Sequence, residues 1–117
     1  MVLEGGLRFI IIDALLLVLL ALLPNLQYLN LGNNENLKAS CSQLLMKGWE
    51  MIQVLDLSIN KLHGRLPSSI GNLTYLTYLD LHDNAIEGGI PSSIGQLCNL
   101  NIIDLSRSKM TGTLNST

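Results

Sequence analysis

Four short stretches of this chain alternate apolar and polar residues in the same way. They read LPNLQYLNLGNN from Leu23, WEMIQVLDLSIN from Trp49, LTYLTYLDLHDN from Leu73 and LCNLNIIDLSRS from Leu97. Their central apolar residues, Leu29, Leu55, Leu79 and Ile103, are 26, 24 and 24 residues apart. Strand side chains point alternately to opposite faces, so Leu29 and Leu31 face one way while Tyr28 and Asn30 face the other. A single strand this short cannot bury its apolar face. Stacked copies can, as a parallel sheet over a continuous leucine core. Asn34, Asn60 and Asn84 recur where the chain leaves each strand. A buried amide there can pair with backbone groups that the turn leaves open, which makes this column structural.

A second signature follows the strands: GRLPSSIGNL from Gly64, GGIPSSIGQL from Gly88 and the incomplete GTL from Gly112. Glycine tolerates backbone conformations that other residues resist. Pro67 and Pro91 fix φ and remove an N–H, so each strand should stop there. The spacing L-x-x-L-x-L-x-x-N-x-L, as in Leu76, Leu79, Leu81, Asn84 and Ile86, is that of leucine-rich repeats. With the L-x-G-x-I-P element added, the stretch from Leu23 to Thr117 resembles the plant-specific class of these repeats. It is especially similar to the ectodomains of plant receptor-like proteins. The resemblance implies an α/β-type, right-handed solenoid with a parallel concave sheet and short convex turns or 3-10 pieces. Residues 23–117 then form about four repeats, the last incomplete.

The outer repeats depart from the pattern. In the first, Asn34 to Leu37 is one residue longer than Asn60 to Leu62, and Ala39, Cys41 and Ser42 replace glycine, leucine and proline. The fourth has Ser108 for asparagine and Asn115 for proline. Receptor ectodomains of this class usually carry many more repeats, caps and a membrane anchor, so the chain reads as a fragment or short copy.

Residues 1–22 form a separate apolar segment. Phe9 to Leu23 is apolar apart from Asp13. As a helix it would rise about 22 Å, short of the roughly 30 Å hydrocarbon core. Three readings fit: a signal- or anchor-like segment, an apolar N-terminal helix capping the solenoid, and a truncated or mis-joined reading frame.

Composition narrows the function. Of the 117 residues, 48% are apolar and only 4% aromatic, so the core must be aliphatic. The formal charge of −2 comes without a basic cluster, which argues against nucleic acid as a partner. Two cysteines cannot staple a small fold. Cys41 and Cys98 lie at least two repeats apart, about 10 Å at strand spacing, beyond the roughly 7 Å reach of a disulfide. Two free thiols are expected.

Solenoids bind through the concave strand face. Its outward positions supply the candidate residues Tyr28, Asn30, Asp56, Tyr78, Asp80, His82, Asp83, Asp104 and Arg107. The richest patch is Tyr78, Asp80, His82 and Asp83, with Arg107 as a charge anchor. The aspartate column has a plainer reading as ordinary repeat wording, hydrated or bonded to neighbouring hydroxyls. Catalysis is not expected: an open sheet offers no oxyanion hole, and no phosphate loop or metal motif is present. Neither a cofactor nor a resident metal is expected. Asn72-Leu73-Thr74 and Asn115-Ser116-Thr117 are acceptor sequons for N-linked glycans.

The resemblance implies a protein or peptide ligand, a possible co-receptor, and a place in the secretory pathway, at the plasma membrane or outside the cell. Membrane association would come through the N-terminal segment or an anchor beyond the C-terminus. Defence or developmental signalling is the expected context. An inhibitor-like module acting on a secreted enzyme and a non-functional repeat fragment are the competing expectations.

Overall fold

The computed structural model describes Leu19 and residues 22–34, 37–45 and 48–114. The remainder of the apolar segment 1–22 and the sequon at Asn115 lie outside the described residues. Among those described, no helix is long and apolar enough to cross a membrane.

Each repeat contributes one strand to each of two parallel sheets. The concave sheet has β1 (Tyr28–Asn30), β3 (Val54–Asp56), β5 (Tyr78–Asp80) and β7 (Ile102–Asp104), in that spatial order. The second sheet has β2 (Lys38–Ser40), β4 (Lys61–Arg65), β6 (Ala85–Ile90) and β8 (Lys109–Leu114). Register in the concave sheet follows the sequence alignment: Leu29 pairs with Leu55, Leu55 with Leu79, and Leu79 with Ile103. Backbone bonds carry the ladder past the short strands, as in Leu31 N–H to Asp56 O at 2.8 Å and Leu57 N–H to Asp80 O at 2.8 Å.

The second sheet is staggered instead. Ala39 pairs with Leu62, and Gly64 with Ile86, although the repeat wording aligns Leu62 with Ile86 and Gly64 with Gly88. A slip of two residues keeps every side chain on its own face, because strand periodicity is two. The inward residues Leu62 and Ile86 therefore stay buried.

The core is the expected aliphatic stack. Leu29, Leu31, Leu55, Leu57, Leu79 and Leu81 are fully buried, as are Ile52, Leu76 and Ile70. Pro67 and Pro91 end the second-sheet strands in extended backbone and start the 3-10 helices Ser68–Asn72 and Ser92–Gln96. In the first repeat, where Ser42 replaces the proline, the equivalent piece is a single α-helical turn, α1 (Cys41–Leu44). Ser69 Oγ donates to Leu45 O and ties this turn to the next repeat.

The asparagines close the turns from inside. Asn60 Nδ2 donates to Leu57 O at 2.9 Å, Ser58 O at 3.0 Å and, in the preceding repeat, Leu31 O at 3.0 Å. Asn84 does the same to Leu81 O and Leu57 O, both at 3.0 Å. Ser108, in the same column, is shorter; its hydroxyl donates only to Leu105 O, at 2.8 Å.

One backbone feature was not legible as such. The position before each of these residues is left-handed: Asn33 (φ 60°), Ile59 (φ 55°), Asp83 (φ 56°) and Arg107 (φ 52°). Asn and Asp tolerate that region, whereas a β-branched residue there is strained by about 1–2 kcal/mol. Ile59 is also 38% exposed, so little burial would be lost on replacing it. Ile59→Asn is expected to stabilise the chain by about 1 kcal/mol, raising the melting temperature by roughly 4–8 °C. A melting curve unchanged or shifted downward would show that the turn carries no such strain.

Candidate binding face

The outward residues of β1, β3, β5 and β7 form two adjoining columns on the concave sheet. One is Tyr28, Val54, Tyr78 and Ile102; the other is Asn30, Asp56, Asp80 and Asp104. Tyr28 is 49% exposed, and Ile102, which is not among the candidate residues named from the sequence, is 53% exposed. Asp83 and Arg107 are exposed in the turns beyond the strands.

The second column is built into the turns. Asn30 Oδ1 accepts the N–H of Gly32 at 2.9 Å, Asp56 Oδ1 that of Ser58 at 3.0 Å, Asp80 Oδ1 that of His82 at 3.1 Å, and Asp104 Oδ1 that of Ser106 at 3.0 Å. Side chains reinforce three of them. Ser58 Oγ and Ser106 Oγ each donate to their own aspartate at 2.6 Å, and His82 Nδ1 lies 2.6 Å from Asp80 Oδ1. The wording D-x-S or D-x-H is thus a local turn closure, as the plainer reading expects. It also locks the carboxylates in orientation.

The patch around Asp80 differs from its neighbours. Asp80 is buried, and its Oδ2 accepts the Tyr78 hydroxyl at 3.2 Å. Asp104, the last of the column, has a side chain 43% exposed, and its Oδ2 lies 3.9 Å from His82 Nδ1. Register partners sit about 4.8 Å apart across strands, where two carboxylates repel by about 0.9 kcal/mol in water. The hydrogen bond to Asp80 raises the pKa of His82, with Asp104 and Asp56 adding to the effect and desolvation opposing it. The Ser106 hydroxyl and N–H lower the pKa of Asp104. The Tyr78 phenol is pushed up, first by desolvation and then by Asp80.

Asp80, His82 and Asp104 could each offer one metal-ligand atom, all within 4.8 Å of one another. Their hydrogen bonds account for the cluster without an ion: Asp80 Oδ1 already has two donors, and Asp104 Oδ1 has two from Ser106. The same bonds turn Ser106 Oγ and His82 Nδ1 towards carboxylates, not towards each other as a nucleophile and its base require. Cys41 and Cys98 are both free thiols; Cys41 is in the core, where burial pushes its pKa up to about 12, and Cys98 is on the surface. Asn72, at the end of its 3-10 helix, and Thr74 are both exposed, away from the concave sheet.

Comparison with known proteins agrees with this architecture. The leucine-rich repeat family model matches residues 51–73 and 75–97, the second and third repeats, which keep every signature position. No curated protein matches the chain. Among solved structures, the BIR3–SERK2 complex from Arabidopsis thaliana matches at 35% identity and TM-score 0.68, covering 84% of this chain and 50% of that one. The Arabidopsis receptor kinase HAESA, solved with the peptide hormone IDA and the co-receptor SERK1, matches at 33% identity and TM-score 0.72, covering 83% and 16%. A plant ice-binding protein matches at 31% identity and TM-score 0.63, covering 80% and 30%. The chain thus spans half or less of the length of each. Two stacked parallel sheets, a buried asparagine column and these likenesses lead to one assignment: the chain has a leucine-rich-repeat solenoid fold that closely resembles the ectodomains of plant receptor kinases.

Proposed function

We propose that this chain is a recognition segment of a plant cell-surface receptor-like protein, binding a protein or peptide on its concave sheet. The observation that carries this reading is the concave face itself. It sets a column of two tyrosines and two aliphatic residues, exposed at Tyr28 and Ile102 and half-buried at Val54 and Tyr78, beside carboxylates held rigid by their own turns. Rigid aromatic anchors beside oriented polar groups give affinity at low entropic cost. HAESA, which shares this fold, binds a peptide hormone together with a co-receptor; a peptide ligand and a co-receptor are the corresponding partners here. The setting is the secretory pathway and the outer face of the plasma membrane, in defence or developmental signalling. Tyr78 and His82 contact the ligand, and Arg107 is the charge anchor on the neighbouring repeat. A glycan on Asn72 would leave this face open.

The test starts with a tagged chain expressed in plant cells. It should be secreted with a glycan that peptide N-glycosidase removes and Asn72→Gln abolishes. The secreted chain is then titrated calorimetrically against a panel of synthetic plant secreted peptides. For a peptide that binds, Tyr78→Ala combined with His82→Ala should weaken affinity by at least about 30-fold, as loss of a central aromatic contact typically does. A cytosolic, unglycosylated product sinks the receptor reading. Unchanged affinity in the double variant sinks the assignment of the face.

A further inference from the structure

We propose that His82 is a proton-operated clasp between the third and fourth repeats: when protonated, it ties Asp80 of its own repeat to Asp104 of the next. Within its column, Gly32, Ser58, His82 and Ser106, it is the one titratable residue. Ser58 and Ser106 close their turns with hydroxyls, which carry no charge and serve only their own aspartates. The imidazole closes its own turn through Asp80 Oδ1 at 2.6 Å and reaches across the junction to within 3.9 Å of Asp104 Oδ2. The first contact suits a neutral or a charged ring; the second is attractive in charge only when the ring is cationic.

The surroundings favour the cation. From β3 the ring faces Asp56, from β5 Asp80 and the Tyr78 phenol bonded to it, and from β7 Asp104. Ser58 and Ser106 flank it in its own column, and Asp83 follows it in the turn. Arg107 lies beyond Ser106 on the next repeat. The junction is also the one where apolar burial is thinnest. Ile103 is 38% exposed, and Leu100, Leu105 and Met110 are only partly buried. An electrostatic tie therefore weighs more here than between earlier repeats.

The direction of the pH dependence follows from both partners. The pKa of His82 is raised in the folded chain, so its contribution is complete below the ordinary histidine value of about 6.5 and is lost as pH rises through the raised value. The pKa of Asp104 is lowered, so its contribution is present above the ordinary carboxylate value of about 3.9 and is lost as pH falls through the lowered value. The clasp is closed between those limits, in mildly acidic solution, and opens as the solution turns alkaline. If the concave face is the binding surface proposed above, closure also changes the charge a ligand meets.

The test needs no ligand, so its failure is separable from failure of the recognition reading. His82 is titrated by NMR in the full chain. Its midpoint should lie above the ordinary histidine value of about 6.5. The Asp104 carboxyl carbon should show an inflection at the pH where His82 titrates. Asp104→Asn should lower the proton affinity of His82 by about threefold, half a pKa unit, while its hydrogen bond to Asp80 remains. Thermal melts should show the wild type losing stability between pH 5.5 and 8.5, with His82→Gln flattening that loss. A His82 midpoint at or below about 6.5, the ordinary histidine value, overturns the proposal. So does an Asp104 resonance that shows no inflection with His82, a readout that holds even if Asp104→Asn fails to fold.

Discussion

Asn84→Ala is expected to cost this chain about 3–5 kcal/mol, a large fraction of the roughly 5–15 kcal/mol that holds a domain folded. Asn60→Ala, the same change one repeat earlier, is expected to cost about 1–3 kcal/mol. The difference comes from which buried groups are orphaned. Asn84 Oδ1 accepts the Leu62 N–H at 3.0 Å, and its Nδ2 is the donor to Leu81 O. Neither group has a second partner among the described hydrogen bonds, because Ser108 is too short to reach back to Leu81. Leu57 O and His82 O would still be held by Asn60 Nδ2 and by the Ile59 N–H. Removing Asn60 leaves one orphan, the Asn34 N–H. Leu31 O keeps Asn34 Nδ2, Leu57 O keeps Asn84 Nδ2, and Ser58 O keeps the Asn33 N–H. Equilibrium urea denaturation measures both losses. Equal losses, or a loss below about 1 kcal/mol for Asn84→Ala, would contradict the two-orphan count.

Leu79→Ala should cost about 3–5 kcal/mol, whereas Ile103→Ala, in the same inward column, should cost about 1 kcal/mol. Leu79 is fully buried between Leu55 and Ile103, its register partners, and truncation leaves a cavity that rigid strands on both sides cannot close. Ile103 has β5 on one side and is 38% exposed on the other. Its truncation loses part of a contact surface and encloses no void. The same denaturation series reads both values. Similar costs at the two positions would mean that Ile103 is covered in solution as completely as Leu79, so that something packs against β7.

The repeat length, the inward leucines, the prolines that stop the second strands and the structural role of the asparagines were legible in the residues. Each rests on chemistry that is local in sequence: a period of two, a fixed φ, an amide two or three residues from the carbonyls it serves. The concave register followed as well, because the four concave strand segments, one per repeat, align without gaps. Asp56, Asp80 and Asp104 read alike, and so do Gly71 and Gly95 or Leu79 and Ile103. Only stacking separated them. Gly71 is obligatory because a Cβ there would meet Ser93 O at 2.8 Å, while at Gly95 nothing lies within 4 Å. Asp80 is buried under Tyr78 and His82, and Asp104 is open, because one has a repeat on each side and the other has β7 at the edge of the sheet. The two-residue slip of the second sheet preserves side-chain faces and so leaves no trace in the alternation. The left-handed turn position was hidden by its varied occupants, Asn33, Ile59, Asp83 and Arg107. The sequence determined what each repeat is. Which of its equivalent residues are buried, strained or available to bind was decided by neighbours about 24 residues away, through contacts that no local pattern encodes.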